Sequence, residues 1–380
     1  MYDLNRNEAY LGFEEHSSFQ EFLEEMNNED TWFLANTQEM KVSYKTPGDI
    51  PEYIYEGATA TQTDEAYANG FYAVDIKGKH YILNPLSHFT LLDRAGATSR
   101  YSKDVSEKDP ERLAELYNVT LPYWAKDCMI LMRGGQILAA HSENYKTLQQ
   151  KDVFGISQNL MIQKFPKAKF MNAAYTHSQS EMTFSLCDQK DMILNEYAAS
   201  WVNAGYSKDA LEKTYPMFTV KTSDVGLFCV EIHPQLYSAA CCYPLGEPIK
   251  IKHHGTASVK EIDVKMNMAY AGLTKGLDTI SNMLKIELDH PVEAFTGACK
   301  AVGLHKFCKK LVKLMIEEFE YSFSYGETVT AFAAYQRICE IKYTKEYKDM
   351  SSSMKLKTDE SIYRLLQVDW LSVDRPGITL

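Results

Sequence analysis

Apolar and polar positions along the chain change period several times, and each change marks an element. Between residues 19 and 26, FQEFLEEM puts Phe19, Phe22, Leu23 and Met26 on one helical face, with Ser17 or Ser18 placed to cap it. This predicts an acidic amphipathic helix. Residues 41–68 hold Pro47-Gly48-Asp49 and Pro51 among tyrosines and threonines, and read as irregular chain with short strands. Apolar runs at 71–76 and 80–83 flank Lys77-Gly78-Lys79 and predict a tight hairpin. The polar stretch 97–112 reads as a linker, and a helix is expected over 108–126.

The segment MILMR-GG-QILAA places two apolar strands around Gly134-Gly135, a dipeptide that readily supplies the positive φ angles of a two-residue turn, so 129–141 is expected to be a hairpin. A helix follows from Asp152 to Pro166. A second hairpin over 168–187 turns at Ser178-Gln179-Ser180, and a helix from Gln189 ends at Gly205. Three strands are expected at 218–221, 227–232 and 236–242, with a turn at 223–226 and Pro234 bounding the second. From Val259 to Leu288 the positions Ile262, Met266, Ala269, Leu273, Leu277, Ile280 and Leu284 keep helical spacing. Pro291 and Gly303 divide the next helices, and another spans 328–343. The tail combines a polar linker with the apolar anchor Leu365, Leu366, Val368 and Trp370, which docks on the body or on a partner.

Hairpins followed by helices do not repeat the βα alternation of a doubly wound sheet. The expected fold is α+β: an antiparallel sheet built from hairpins with packed helices, the C-terminal half mainly helical. Four parts are expected: an acidic region 1–100, a hairpin-rich core 101–255, helices 256–345 packed on it, and the tail 346–380.

Charge changes this picture. Residues 1–70 carry 15 acidic against 3 basic side chains, a net of −12 within a total of −11. Residues 249–315 instead hold eleven lysines against six acids. Lys306, Lys309, Lys310 and Lys313 fall at i, i+3, i+4 and i+7, and four ammonium groups on one face cannot be core. With Lys250, Lys252, His253 and His254 they form the candidate surface for nucleic acid or another anion.

The eight cysteines lie mostly in apolar runs without a Cys-x-x-Cys pair, which suits buried thiols in the cytoplasm and offers no metal site. No signal peptide or apolar run of membrane-spanning length is read. Phosphate-loop, dinucleotide, zinc-protease and nucleophile-elbow motifs are absent. His141-Ser142-Glu143, His177 with Glu181, and Asp188 with Asp191 read as strand-end, turn and helix-start residues, so neither a catalytic set nor a cofactor is expected.

Arg133, Ser142, Tyr145 and Asp152-Val153-Phe154 within MILMRGGQILAAHSENYKTLQQKDVFG resemble a feature of the phage- and plasmid-like proteins grouped as domain of unknown function 932. The segment FTVKTSDVGLFCVEIHPQLYSAAC, with Ser223, Gly226 and Cys241, and the following Lys252-His253-His254-Gly255 are similar to it too, so that the resemblance spans about 113–340. It implies a protein of a mobile element and no particular activity. Two functions are compatible with these residues. One is binding of single-stranded DNA or RNA at the basic surface, with tyrosine or phenylalanine available for stacking. The other is a protein-binding module, such as an inhibitor of a host defence factor or an assembly subunit, that uses the acidic N-terminal region. Either admits an oligomer.

Overall fold

The computed structural model describes residues 10–99, 102, 108–176, 178–186, 197–226, 229–238, 241–252, 259–322, 328–350 and 352–380. The hairpin periodicities become two sheets rather than one. The first contains β2 (Thr31–Asn36), β3 (Met40–Lys45), β4 (Phe71–Ile76), β5 (Lys79–Leu83), β6 (Asp127–Arg133) and β7 (Gln136–Ser142), in the order β2-β6-β7-β5-β4-β3. Its pairs are antiparallel except β5 with β7. The second contains β1 (Leu11–Phe13), β8 (Lys169–Tyr175), β9 (Ser180–Ser185), β10 (Tyr215–Thr222), β11 (Val230–Ser238), β12 (Cys241–Pro244) and β13 (Ile249–Ile251). Its order is β1-β8-β9-β10-β11-β12, with β13 also on β11.

The expected hairpins are present. Between β6 and β7, Gly134 and Gly135 have φ of 55° and 74°, the two positive angles that a two-residue turn with the strands' own twist requires. Gly135 is also fixed by its surroundings, because an added Cβ would lie 2.6 Å from the Ala58 Cα.

Several boundaries differ for identifiable reasons. The strands expected at 227–232 and 236–242 are mainly one strand, β11, which runs through Pro234. Pro234 is tolerated inside the sheet because β13 pairs with residues 230–232 and β12 with residues 235–238, so the missing N–H falls at the gap between two partners. The stretch 41–68 contains a helix, Ala60–Asn69, started by a Thr59–Gln62 capping box. The acidic helix spans His16–Glu29 and takes Glu15, not Ser17 or Ser18, at its N-cap. The helix expected over 108–126 is Pro110–Trp124.

The division at residue 100 does not hold. Strands β6 and β7 complete the sheet begun by β2–β5, while β1 and the helix His16–Glu29 join the second body through β8 and the helix Gln150–Lys164. One face of the first sheet is covered by Ser87–Arg94 and Pro110–Trp124, which bury Leu91, Leu113, Tyr117 and Leu121 against Val42, Val74 and Ile137. The second sheet puts Met182, Phe184, Phe218, Val220 and Ile232 into the large core with the helix Val259–Met283. In that helix the predicted residues Ile262, Met266, Ala269, Leu273, Leu277 and Ile280 are all buried.

Candidate functional site

Of the expected basic surface, Lys250 is committed elsewhere. The antiparallel registers set Lys250 opposite Glu231, Glu231 opposite Lys221, and Lys221 opposite Glu181, giving a ladder of alternating charge across four strands. The Lys250 ammonium lies 3.2 Å from Glu231 and 3.7 Å from Glu360, and Lys221 lies 2.9 Å from Glu181. His233, two residues along β11 and therefore on the same face, lies with Nε2 3.0 Å from Glu231 and Nδ1 2.9 Å from the Tyr363 hydroxyl. Burial pushes the His233 pKa down and outweighs the pull of Glu231, so the imidazole is neutral. Its tautomer then follows: Nε2–H donates to Glu231, and Nδ1 accepts from Tyr363. Lys250 thus belongs to a polar seam that fastens the helix Ser352–Tyr363 to the sheet, which corrects its reading as an anion-binding cation. Lys252 is exposed beyond β13, and His253 and His254 lie outside the described residues, as do His177, Asp188 and Asp191.

The second group reaches solvent as expected. Lys306, Lys309, Lys310 and Lys313 are all exposed. Their geometry differs in one respect: Lys306 ends a separate turn, Leu304–Lys306, and the helix begins at Lys309 after the break at Cys308. Helical spacing therefore relates Lys313 to Lys309 and Lys310, while Lys306 precedes them. The helix Lys309–Tyr321 buries Leu311, Val312, Met315 and Phe319, has no acid in its first turn and no base in its last, and has no side-chain cap at its N-terminus. Glu317, Glu318 and Glu320 crowd its other half. Its charges thus run against its own dipole, each such placement costing about 0.3–1 kcal/mol. Lys313 has a 3.8 Å contact with exposed Glu317, a pair of little energetic weight.

A cleft of about 410 Å³ opens in the first sheet's body, between the helix Ala60–Asn69, β4, and the start of the helix Ser87–Arg94. Tyr44, Phe71, Tyr72 and His88 contribute aromatic surface, Gln136 an amide and Glu65 a carboxylate. The Tyr72 ring meets Tyr44 edge-on at 5.1 Å and His88 at 4.5 Å. His88 Nδ1 lies 2.8 Å from the Tyr117 hydroxyl, and burial lowers the His88 pKa to about 4. The unfolded chain binds a proton here at the ordinary 6.5, so His88 contributes stability above that pH which is lost as pH falls from 6.5 towards 4. In denaturant titrations, His88→Phe is expected to flatten the pH dependence of stability across that window. Sequence reasoning missed the cleft. Its signal was the Thr59-x-x-Gln62 capping box followed by Tyr67, Phe71 and Tyr72.

Residues of β6, β7, β8, β9 and the turn after β10 meet in a buried network. Arg133 forms a two-point ion pair with Asp30 (Nε–Oδ1 2.5 Å, Nη2–Oδ2 2.9 Å), reaches Asp224 at 2.8 Å, and donates to the Tyr175 hydroxyl at 3.2 Å. Gln150 donates to the same Asp224 oxygen at 2.5 Å and accepts from Ser180 at 2.5 Å. His141 lies 2.6 Å from the Asp224 carbonyl and stacks on Tyr145 with ring centres 3.8 Å apart. Burial pushes the Asp30 carboxyl pKa up although Arg133 opposes it. This network joins the two sheets.

Among the described residues no group of three or more His, Cys, Asp or Glu could hold a metal ion, and no helix is long and apolar enough to cross a membrane. Burial raises the pKa of the Cys128, Cys299, Cys308 and Cys339 thiols, which keeps them protonated. Compared with protein-family models, curated proteins and solved structures, the chain finds no match.

Proposed function

We propose that this chain is a mobile-element protein of the cytoplasm that binds single-stranded nucleic acid through Lys306, Lys309, Lys310 and Lys313, with Lys252 as a further exposed cation. The observation that carries the reading is the helix Lys309–Tyr321, whose lysines gather at the positive end of its dipole with no acid in the first turn. Such an arrangement works against the helix and suits a phosphate, which gains from both the ammonium groups and the backbone N–H groups at an uncapped start. The total charge of −11 opposes the approach of nucleic acid at long range. The acidic excess, however, belongs to residues 1–70, whereas the lysines belong to the C-terminal helices. The mobile-element setting rests on the resemblance of residues 113–340.

Affinity for a fluorescent single-stranded oligonucleotide, measured across salt concentrations, tests this. Four phosphate contacts predict a log–log slope of about −3, from about −0.7 per neutralised phosphate. The quadruple variant K306E/K309E/K310E/K313E is expected to lose the salt-dependent affinity without a fall in melting temperature, because Glu at 309 and 310 agrees with the helix dipole. Salt-independent binding, or equal binding by the variant, counts against the reading.

The protein-partner alternative draws on a different observation. Ile50 and Ile54 are 82% and 92% exposed on a loop that also carries Asp49, Glu52 and Glu56. An apolar, acidic projection of this kind suits a basic partner with an apolar recess. If wild-type protein lacks affinity for DNA and RNA, this alternative replaces the first.

A further inference from the structure

We infer that the cleft beside His88 binds a neutral heteroaromatic ring bearing a carbonyl oxygen, the chemistry of a nucleobase in a free nucleoside. The inference does not rest on the lysine cluster, which belongs to a different part of the fold. Volume comes first: about 410 Å³ falls within the range of small-molecule sites. Phe71 and Tyr72 on β4 and Tyr44 on β3 give the cleft aromatic walls, which attract the face or edge of a planar ring.

Polarity narrows the class. The Leu86 N–H donates to Asn84 Oδ1 at 3.0 Å, which assigns Asn84 Nδ2 as the donor to Gln136 Oε1 at 2.8 Å. Gln136 therefore has its oxygen occupied, and its Nε2 has no partner among the described residues. It is a donor of fixed sense, suited to a ligand carbonyl. The backbone anchors this amide too, since Asn84 N–H donates to the Ile137 carbonyl at 2.9 Å and Ile82 stands opposite Gln136 in the β5–β7 register. Glu65 at the rim can accept from a ring N–H or an exocyclic amino group.

Charge excludes the anionic forms of such ligands. The described lining contains no lysine or arginine, His88 is neutral at physiological pH, and Glu65 repels phosphate. A nucleoside is thus favoured over its monophosphate.

Calorimetric titration of the full chain with uridine, cytidine, guanosine, adenosine and uridine 5′-monophosphate tests the inference. At least one of the three carbonyl-bearing nucleosides is expected to bind, adenosine and the monophosphate at least about tenfold more weakly. Gln136→Glu keeps the acceptor for Asn84 but turns the donor into an acceptor, and is expected to weaken binding about tenfold or more. Hydrogen exchange on wild-type protein supplies a readout independent of that variant's folding: the bound nucleoside should protect residues 70–72 and 83–88. The inference is overturned if no carbonyl-bearing nucleoside binds, if the monophosphate binds as tightly, if a folded Gln136→Glu retains full affinity, or if protection appears only elsewhere. The quadruple lysine variant should bind the nucleoside as wild type does.

Discussion

Arg133→Ala is expected to destabilise the protein by about 3–5 kcal/mol, the cost of removing one partner from a buried ion pair. The Arg133 side chain is 1% exposed, and its guanidinium pairs with both Asp30 and Asp224, whose side chains are 13% and 7% exposed. Truncation leaves two largely buried carboxylates without this cation, and it also removes the donor to Tyr175. Arg133→Lys is expected to recover only part of the loss, because an ammonium group lacks the planar fork that spans Asp30 while reaching Asp224. Urea titration gives the magnitude. The network's role as a joint between sheets adds a second expectation: in the Ala variant, hydrogen exchange should rise in β2 and in the 223–226 turn together. A change below about 1 kcal/mol would show that the joint is held by the surrounding apolar contacts alone.

Trp370→Ala is expected to release the C-terminal tail, at a cost of about 3–5 kcal/mol for deleting a buried aromatic side chain. Trp370 is 2% exposed in the large core, and its short helix, Trp370–Val373, lies against the helix Pro291–Ala301. Gly297 makes that approach close, since a Cβ there would stand 2.8 Å from Val373. Asp374 accepts from the backbone N–H groups of Asp289 and His290 at 2.8 and 2.6 Å, just before Pro291 opens the helix, and Lys300 donates to the Thr379 carbonyl at 2.9 Å. The expected readout is rapid proteolysis after residue 363 at a temperature where the rest of the wild-type chain resists. Loss of the anchor also loosens the covering of the polar seam, so protection near Tyr363 and His233 should fall next. An unchanged cleavage rate would show that the polar contacts suffice to hold the tail.

The anchor residue itself was visible as an apolar cluster in a polar tail, yet its destination was open, because nothing local distinguishes a docking site on the body from one on a partner. The same division recurs throughout the chain. The hairpin at Gly134-Gly135 follows from two neighbouring residues that readily take positive φ, and the helix Val259–Met283 follows from one repeated spacing. Both signals are complete within their own segment. The helix Ala60–Asn69 is poorly legible in sequence because Pro47 and Pro51 beside it signal irregular chain, and because it buries little: Tyr67 is its single fully buried residue. The strand through Pro234 is not legible in sequence because the tolerance for proline depends on where β12 and β13 end.

For the candidate sites the difference is sharper. That Lys309, Lys310 and Lys313 face solvent was determined by sequence, since ammonium groups in such number have no stable place in a core. That Lys250 is neutralised by Glu231 and Glu360 was decided by strand register and by the return of the C-terminal helix, partners 19 and 110 residues away. Likewise nothing in sequence pairs Arg133 with Asp30 and Asp224, which become one network through separations of 103 and 91 residues. Sequence by itself determined the α+β class, the hairpins, the main helices and the polarity of the exposed lysines, all of which arise from local backbone preference and the cost of burying charge. The pairing of two sheets, the cleft beside His88, and the choice of which charges remain unpaired were decided by tertiary structure alone, because each depends on bringing distant residues within a few ångströms.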